Sequence, residues 1–410
     1  MIRMTFTALA LGTTLSTPAL ALEADAFAER LKAALAKSNY ELTYDSASLD
    51  GSNVTLTNFS LGVALPPAPE GDAPEIPRLD GGDVTFENVT ERDGGGYRVE
   101  RIGRTDVSGS IDEVGGEDEP ASYTIGEWAI EGLRVPAEGA EGFEAFINAE
   151  RYFMRDATFS LAGEEYVTLA STEATSDLDA NPLSSAATIE DMAVNLRVVA
   201  DESPELKSWI EGTGYESLTI DGEFEGSWNE ETGEFSIPTY RIVLEDMGQF
   251  DMDMSFGGLT KQVIDQMMAM TEASSSGDPQ QQQAAQMQMM GLAAQLQFGG
   301  FEIGYRDGGM ADKLLDYYAQ TNGQTKEALV QQTIGALPFV LGQLQAPELA
   351  SQVQEAVTAF LNDPQSIRVS MKPDAMVPLV ALMGAAASSP GDVAKALNAQ
   401  VMANDAGAME

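Results

Sequence analysis

The feature that most constrains this chain is a period-two alternation of apolar and polar residues, carried in segment after segment from Tyr40 to about Phe256. Side chains of a strand point alternately to opposite faces, so such a pattern folds as a sheet with one dry and one wet side. Leu218, Ile220, Phe224 and Trp228 fall on one face, with Gly222 and Gly226 in the same register. Thr219, Asp221, Glu223, Glu225 and Ser227 fall on the other. Asn229–Gly233 (NEETG) reads as a turn, and the chain returns through Phe235, Ile237, Ile242 and Leu244. A third segment sets Phe250, Met252, Met254 and Phe256 against Asp251, Asp253 and Ser255. The three segments predict an antiparallel meander.

Further units have the same grammar. Leu49–Asn58 (LDGSNVTLTN) recurs as Leu79–Asn88 (LDGGDVTFEN), each read as a polar turn leading into a strand, and related turn–strand units occur at Ser122–Val135 and Tyr152–Leu169. Between the two copies, Leu65–Pro77 is a Pro-rich loop. The spacing varies, so the repeats predict successive rungs of a long twisted sheet and not a strict solenoid. Ahead of them, Phe27, Leu31 and Leu35 share one face of an amphipathic helix over Ala24–Ser38.

After Phe256 the period changes from two to that of helices. Leu259, Val263, Met267 and Met270 predict a helix over Gly257–Met270, and Met287–Gln297 a second one, joined by the low-complexity segment Thr271–Gln286. Phe298–Tyr305 reads as a strand. Helices follow at Met310–Thr321, Lys326–Leu344 and Pro347–Leu361, then a strand at Ser366–Met371. Helices at Met376–Ala387 and Pro390–Leu397, a strand at Ala399–Ala403 and a frayed tail from Asn404 complete the chain. The fold class predicted is α+β: a long, mostly antiparallel sheet followed by a helix-rich part packed on it. The organisation reads as 1–21 signal peptide, 22–256 N-terminal helix and strand-rich region, 257–297 Met/Gln-rich helical hairpin, and 298–410 helix-rich region with three short strands.

The N-terminus suggests a location. Arg3, the uncharged stretch Thr5–Leu15, a break at Ser16-Thr17-Pro18 and Ala19-Leu20-Ala21 have the order of a secretory signal, with Leu22 or Glu23 opening the mature chain. No later segment is long and apolar enough to span a bilayer: Ala375–Ser389 is short and contains Pro378. A soluble periplasmic protein is expected.

Composition narrows the chemistry. The 410 residues include no histidine and no cysteine. That removes imidazole acid–base catalysis, Ser–His and Cys–His nucleophile pairs, disulfides, and the usual ligands of zinc, haem and iron–sulfur clusters. No P-loop or Rossmann fingerprint is present, and the chain reads as non-enzymatic with no cofactor. A net charge of −43 excludes nucleic acid as a partner and disfavours adsorption to anionic lipid.

Three motifs invite ligands. Met267-Met268-x-Met270 and Met287-x-Met289-Met290 offer soft thioethers for copper(I), but with no His or Cys beside them they read better as adaptable apolar packing. Asp221, Glu223, Glu225, Asp251 and Asp253 share a sheet face and would suit calcium, though no EF-hand loop accompanies them. Asn53, Asn58 and Asn88 each open a glycosylation pattern, and read more simply as turn residues. A sheet with a dry face needs a cover. The Met-rich hairpin is the expected one, its apolar face made by Leu259, Val263, Met267, Met270, Met290 and Leu292. The candidate binding surface is an apolar groove between sheet and helices formed by Met267, Met270, Met290, Leu259, Val263 and Trp228, for lipid or an envelope partner. The alternative is an acidic cation-binding or surface-associated structural module.

The strand grammar of LTYDSASLDGSNVTLTNFSL, the meander SWNEETGEFSIPTYRIVLEDMGQFDMDMSFGGL and the ending FEIGYRDGGMADKLLDYYAQTNGQT…AFLNDPQSIRVSMKPDAMVPLVALM…LNAQVMAND carry a resemblance. The chain resembles exported alphaproteobacterial proteins near the family called domain of unknown function 2125 and, more distantly, AsmA-like envelope proteins. The resemblance implies an envelope setting and supplies no catalytic residues. AsmA-like members are membrane-anchored; no anchor is read in this chain, so a bridge-like lipid conduit is not implied.

Overall fold

The computed structural model describes residues 22–63, 78–92, 94–111, 120–200, 203–275, 288, 291–342 and 346–405. The predicted signal segment, the loop at 65–77 and most of the Gln-rich joint lie outside them. Helix α1 (Ala24–Lys37) packs on a four-stranded sheet of β1 (Tyr40–Thr43), β2 (Ser46–Asp50), β3 (Asn53–Val63) and β4 (Arg78–Phe86). The two copies of the decapeptide repeat pair with each other. Val54 lies opposite Phe86 and Leu56 opposite Val84, and the hydroxyls of the Thr55–Thr85 pair are 3.0 Å apart. The first copy contains the predicted turn. The second does not: Leu79–Phe86 is one strand, which shifts register at Gly82, where φ is +59°.

The second sheet has thirteen strands, all paired antiparallel. They are β5 (Thr90–Glu91), β6 (Tyr97–Ile111), β7 (Ala121–Val135), β8 (Arg151–Leu161), β9 (Glu164–Asp177), β10 (Leu183–Asn195), β11 (Ser217–Trp228), β12 (Phe235–Leu244), β13 (Gly248–Gly257), β14 (Gln297–Asp307), β15 (Ser366–Met371), β16 (Val377–Pro378) and β17 (Ala399–Ala403). From β5 to β15 each strand lies beside its successor in the chain. Short turns enforce this order. Ala162-Gly163, both with positive φ, join β8 to β9, and the Asn229 carboxamide accepts from the backbone N–H of Glu231 and Thr232 between β11 and β12. Backbone bonds from Glu87 N–H to Arg101 O and from Glu100 N–H to Glu87 O tie the two sheets together.

Helices occupy the connections. The β10–β11 connection holds α2 (Arg197–Ala200) and α3 (Pro204–Thr213). After β13 come α4 (Lys261–Ser275), α5 (Met310–Thr321), α6 (Lys326–Leu341), α7 (Pro347–Asn362), α8 (Leu379–Ser388) and α9 (Pro390–Ala396). Helices α5 to α7 pack on the sheet, the Phe360 ring of α7 lying 6.2 Å from Tyr305 of β14. Local caps fix the starts. Thr325 accepts from the N–H of Ala328, and the Asp307 carboxylate accepts from Gly309 and Ala311 at 2.9 and 2.8 Å.

Several boundaries differ from expectation, each through a partner distant in sequence. Gly257 is still in the β13–β14 ladder opposite Gln297, so the helix begins at Lys261 and continues through Ser275, into the predicted joint. The same ladder makes Gln297 a strand residue and not the end of a helix. Val377 and Pro378 pair with Phe298 and Gln297 as β16, which delays α8 to Leu379. Asn404 is not frayed. Its carboxamide bonds Ala359 O, Asp363 O and the N–H groups of Gln365 and Ser366.

Burial is uneven. The contiguous buried cluster joins Phe27, Ala28, Leu31 and Ala34 of α1 to Leu42, Val54, Leu56, Val84 and Phe86, and to Tyr97, Val99, Leu133 and Val135 of β6 and β7. Beyond β8 most sheet residues are only half-buried.

Candidate functional site

The register of the long sheet sorts its residues into two kinds of cross-strand row. Phe224, Tyr240, Met252, Ile303 and Val369 lie opposite one another in turn across β11, β12, β13, β14 and β15. A parallel row runs through Ile242, Phe250, Tyr305 and Ile367, with the Phe250 and Tyr305 rings 4.7 Å apart. At the end of the sheet, Trp228, Phe235, Phe256 and Phe298 form a third. These rows make one continuous apolar face. Helix α7 reaches the Tyr305 row, but the next row stays open: Tyr240 is 39% and Ile303 41% exposed. Met252 lies between them on β13 and is half-buried, so the two exposed apolar side chains flank a better covered one in the same row. Tyr305 closes one side. Its hydroxyl lies 2.8 Å from Met247 O and 2.7 Å from an Asp307 oxygen, and burial first, the carboxylate second, push its ionisation far up. It is a fixed hydrogen-bonding neutral phenol, not an acid–base group.

The residues proposed from sequence occupy the end of this face and the start of α4. Trp228 is buried and donates from Nε1 to Leu259 O at 2.6 Å; Leu259 N–H in turn donates to Gly233 O. Trp228 and Leu259 are thus brought together. Val263 is fully buried on α4, Met267 is exposed at 39%, Met270 is half-buried, and Met290 lies outside the described residues. Helix α4 packs against a 3-10 helix, Gly142–Ala145, in the β7–β8 connection, and Lys261 Nζ reaches Asp265 at 3.0 Å and Glu144 at 3.8 Å. From the sequence, Ile303 reads as an alternating strand residue with Phe301 and Tyr305, and neither it nor Tyr240 is among the expected site residues. Their period-two neighbours were legible, but which row lacks a covering helix depends on long-range packing.

The opposite face is a ladder of ion pairs. Arg241 bridges Asp251 at 2.8 Å and Glu223 at 3.3 Å. Lys372 bridges Asp253 at 3.0 Å and Glu302 at 3.3 Å, and Arg368 reaches Glu302 at 3.4 Å. On β6 to β9, Arg101 binds Glu127 and Glu131, Arg151 binds Glu131 and Glu173, and the guanidinium groups of Arg101, Arg151 and Arg155 lie 5.6, 4.5 and 4.6 Å from the centre of the buried Phe153 ring. Hydrogen bonds from Arg151 hold the Glu173 carboxyl below its usual range, and those from Arg98, then Arg134, do the same for Glu150. The acidic residues considered for calcium are therefore shared out. Glu223 and Asp251 hold Arg241, Asp253 holds Lys372, Asp221 accepts from the N–H of Asp191, and Glu225 accepts from the Thr239 hydroxyl. Among the described residues no group of three or more carboxylates converges to hold a metal ion.

Residues 241–404 match the model of a family described as "Uncharacterized protein". The match runs from within β12 to the end of β17 and so takes in the open row from Met252 onward. No curated protein matches the chain.

Proposed function

We propose that this protein is a non-enzymatic, exported binding protein that holds lipid acyl chains against the apolar face of its long sheet. The observation that carries the reading is the row in which Tyr240 and Ile303 are exposed on either side of the half-buried Met252, next to the Tyr305 row that α7 reaches. A surface of that chemistry gains on the order of 0.8 kcal/mol for each methylene it removes from water, so an alkyl chain lying across several strands binds without any polar contact. The lack of histidine and cysteine supports binding over catalysis. The N-terminal signal pattern, and the resemblance to proteins of domain of unknown function 2125 and to AsmA-like envelope proteins, support a periplasmic setting. The ion-paired state of the acidic face favours lipid over a cation as the ligand. Native mass spectrometry of protein released from the periplasm tests the reading. Co-purifying phospholipid or fatty acid, on a chain opening at Leu22 or Glu23, is the expected result. Bare protein, or protein carrying calcium, would count against it.

A further inference from the structure

The long sheet ends on β17. Among the described residues this strand pairs with β15 alone. Its backbone groups sort by parity, because the bonds of an antiparallel strand alternate from side to side. Asn404 N–H donates to Ser366 O, so Gln400 and Met402, at the same parity, face β15. Ala399, Val401 and Ala403 then face outward. Val401 shows this directly: its N–H donates to the side-chain oxygen of Gln352, on α7, at 3.3 Å. Gln352 and Val401 both line a cavity of about 560 Å³, which therefore lies along the outward side of β17. The start of α7 and helix α9 form its other walls, with Leu349 and Ala394 among the lining side chains. Glu348, Asp392 and Lys395, all exposed, complete the lining.

We propose that this edge takes an extended peptide segment of another protein as an added strand. Three features choose that occupant. Outward N–H and C=O groups recurring at every second residue are matched by the backbone of another strand, which has the same period. The Gln352 carboxamide already stands in for such a strand, offering Val401 the C=O that a peptide would offer. Charge selects against a second copy of this chain, since two molecules of net charge −43 repel each other. Two carboxylates against one amine in the cavity lining favour a segment bearing lysine or arginine. The register adds a side-chain preference. Val401 lies opposite Val369, in the row that runs through Ile303, so the peptide residue opposite Val401 continues an apolar row. This inference stands apart from the acyl-chain reading and does not need it.

The test is fluorescence anisotropy of the full-length protein with the fluorescein-labelled peptide Lys-Thr-Val-Thr-Val-Thr-Lys, which has the alternation and the charge described. It should bind. N-methylation of both valines removes the N–H groups that face β17 and should weaken binding at least about tenfold. N-methylation of the middle threonine, whose N–H points away, should change it little. Val401→Pro removes the outward N–H and no bond to β15, at a position where an edge strand accepts proline. It should weaken binding as much as the doubly methylated peptide does, with unchanged thermal melting. Gln352→Ala, which frees the edge of its stand-in, should tighten binding several-fold. Should the proline variant fail to fold, amide hydrogen exchange of the wild type decides: bound peptide should slow Ala399 and Ala403. No binding, equal binding of the two methylated peptides, or exchange at Ala399 and Ala403 that peptide leaves unchanged would overturn the inference. So would a wild-type dimer in light scattering that Val401→Pro converts to a monomer, because a second copy would then be the occupant.

Discussion

The N-terminal unit and the long sheet are written in the same strand grammar and end in different states. In the first, α1 lies across β1 to β4, β6 and β7, and the apolar face becomes a dry core. Phe27 is fully buried and its ring meets Phe86 at 5.1 Å and Tyr97 at 5.4 Å. In the second, α7 covers the Tyr305 row, and the row containing Tyr240 and Ile303 stays half open. The difference teaches that alternation specifies a sheet and its two faces, whereas the fate of the dry face depends on whether a helix is delivered over it. A covered face stabilises the fold. An open one is available for binding.

Substitutions in the two regions should have very different costs. Phe27→Ala should cost about 3–5 kcal/mol, the range for removing a large aromatic side chain from a packed core, and chemical denaturation will measure it. Trp228→Asp should also cost several kcal/mol, since it puts a charge into a buried site and removes the bond to Leu259 O. Glu225→Lys, on the wet face of the same strand, should change stability by less than about 0.5 kcal/mol. Equal effects at Trp228 and Glu225 would mean that the two faces are misassigned.

A pH series sharpens the same contrast, because the ion-pair ladder titrates and the apolar face does not. Glu150 and Glu173 have folded-state values below their unfolded ones, set chiefly by hydrogen bonds from Arg98 and Arg151. Their stabilisation is present above about pH 4.3, the ordinary glutamate value, and is lost as the pH falls through the lowered folded values. With no histidine or cysteine in the chain, the melting temperature should be level from about pH 5.5 to 8 and fall only in acid. A step near neutral pH would contradict this.

How far the sequence could be read follows the range of the interactions. Met310–Thr321, Ser366–Met371 and Ala399–Ala403 were predicted with the boundaries they have, because their ends are marked by adjacent Gly, Asn and Pro residues. The faces of β11 and β13 were legible for the same reason, since alternation is local. β16, the anchoring of Asn404 and the three arginines around Phe153 were not legible. β16, Asn404 and Arg101 depend on partners tens of residues away that leave no local pattern, whereas Arg151 and Arg155 stand at period-two spacing about Phe153 on β8. Of the candidate site, the apolar strands are visible in the sequence as a class, but the methionines expected to cover them stand on α4, which packs on the β7–β8 connection.

The most direct test pairs stability with acyl-chain binding in Ile303→Asp. With this row proposed as an open binding surface, the variant should lose less than about 1 kcal/mol of stability, as a half-exposed position does, and bind a soluble fluorescent fatty acid at least tenfold more weakly. A variant that unfolds while its residual native fraction binds as wild type would show that Ile303 belongs to a core and that the open face is not the site.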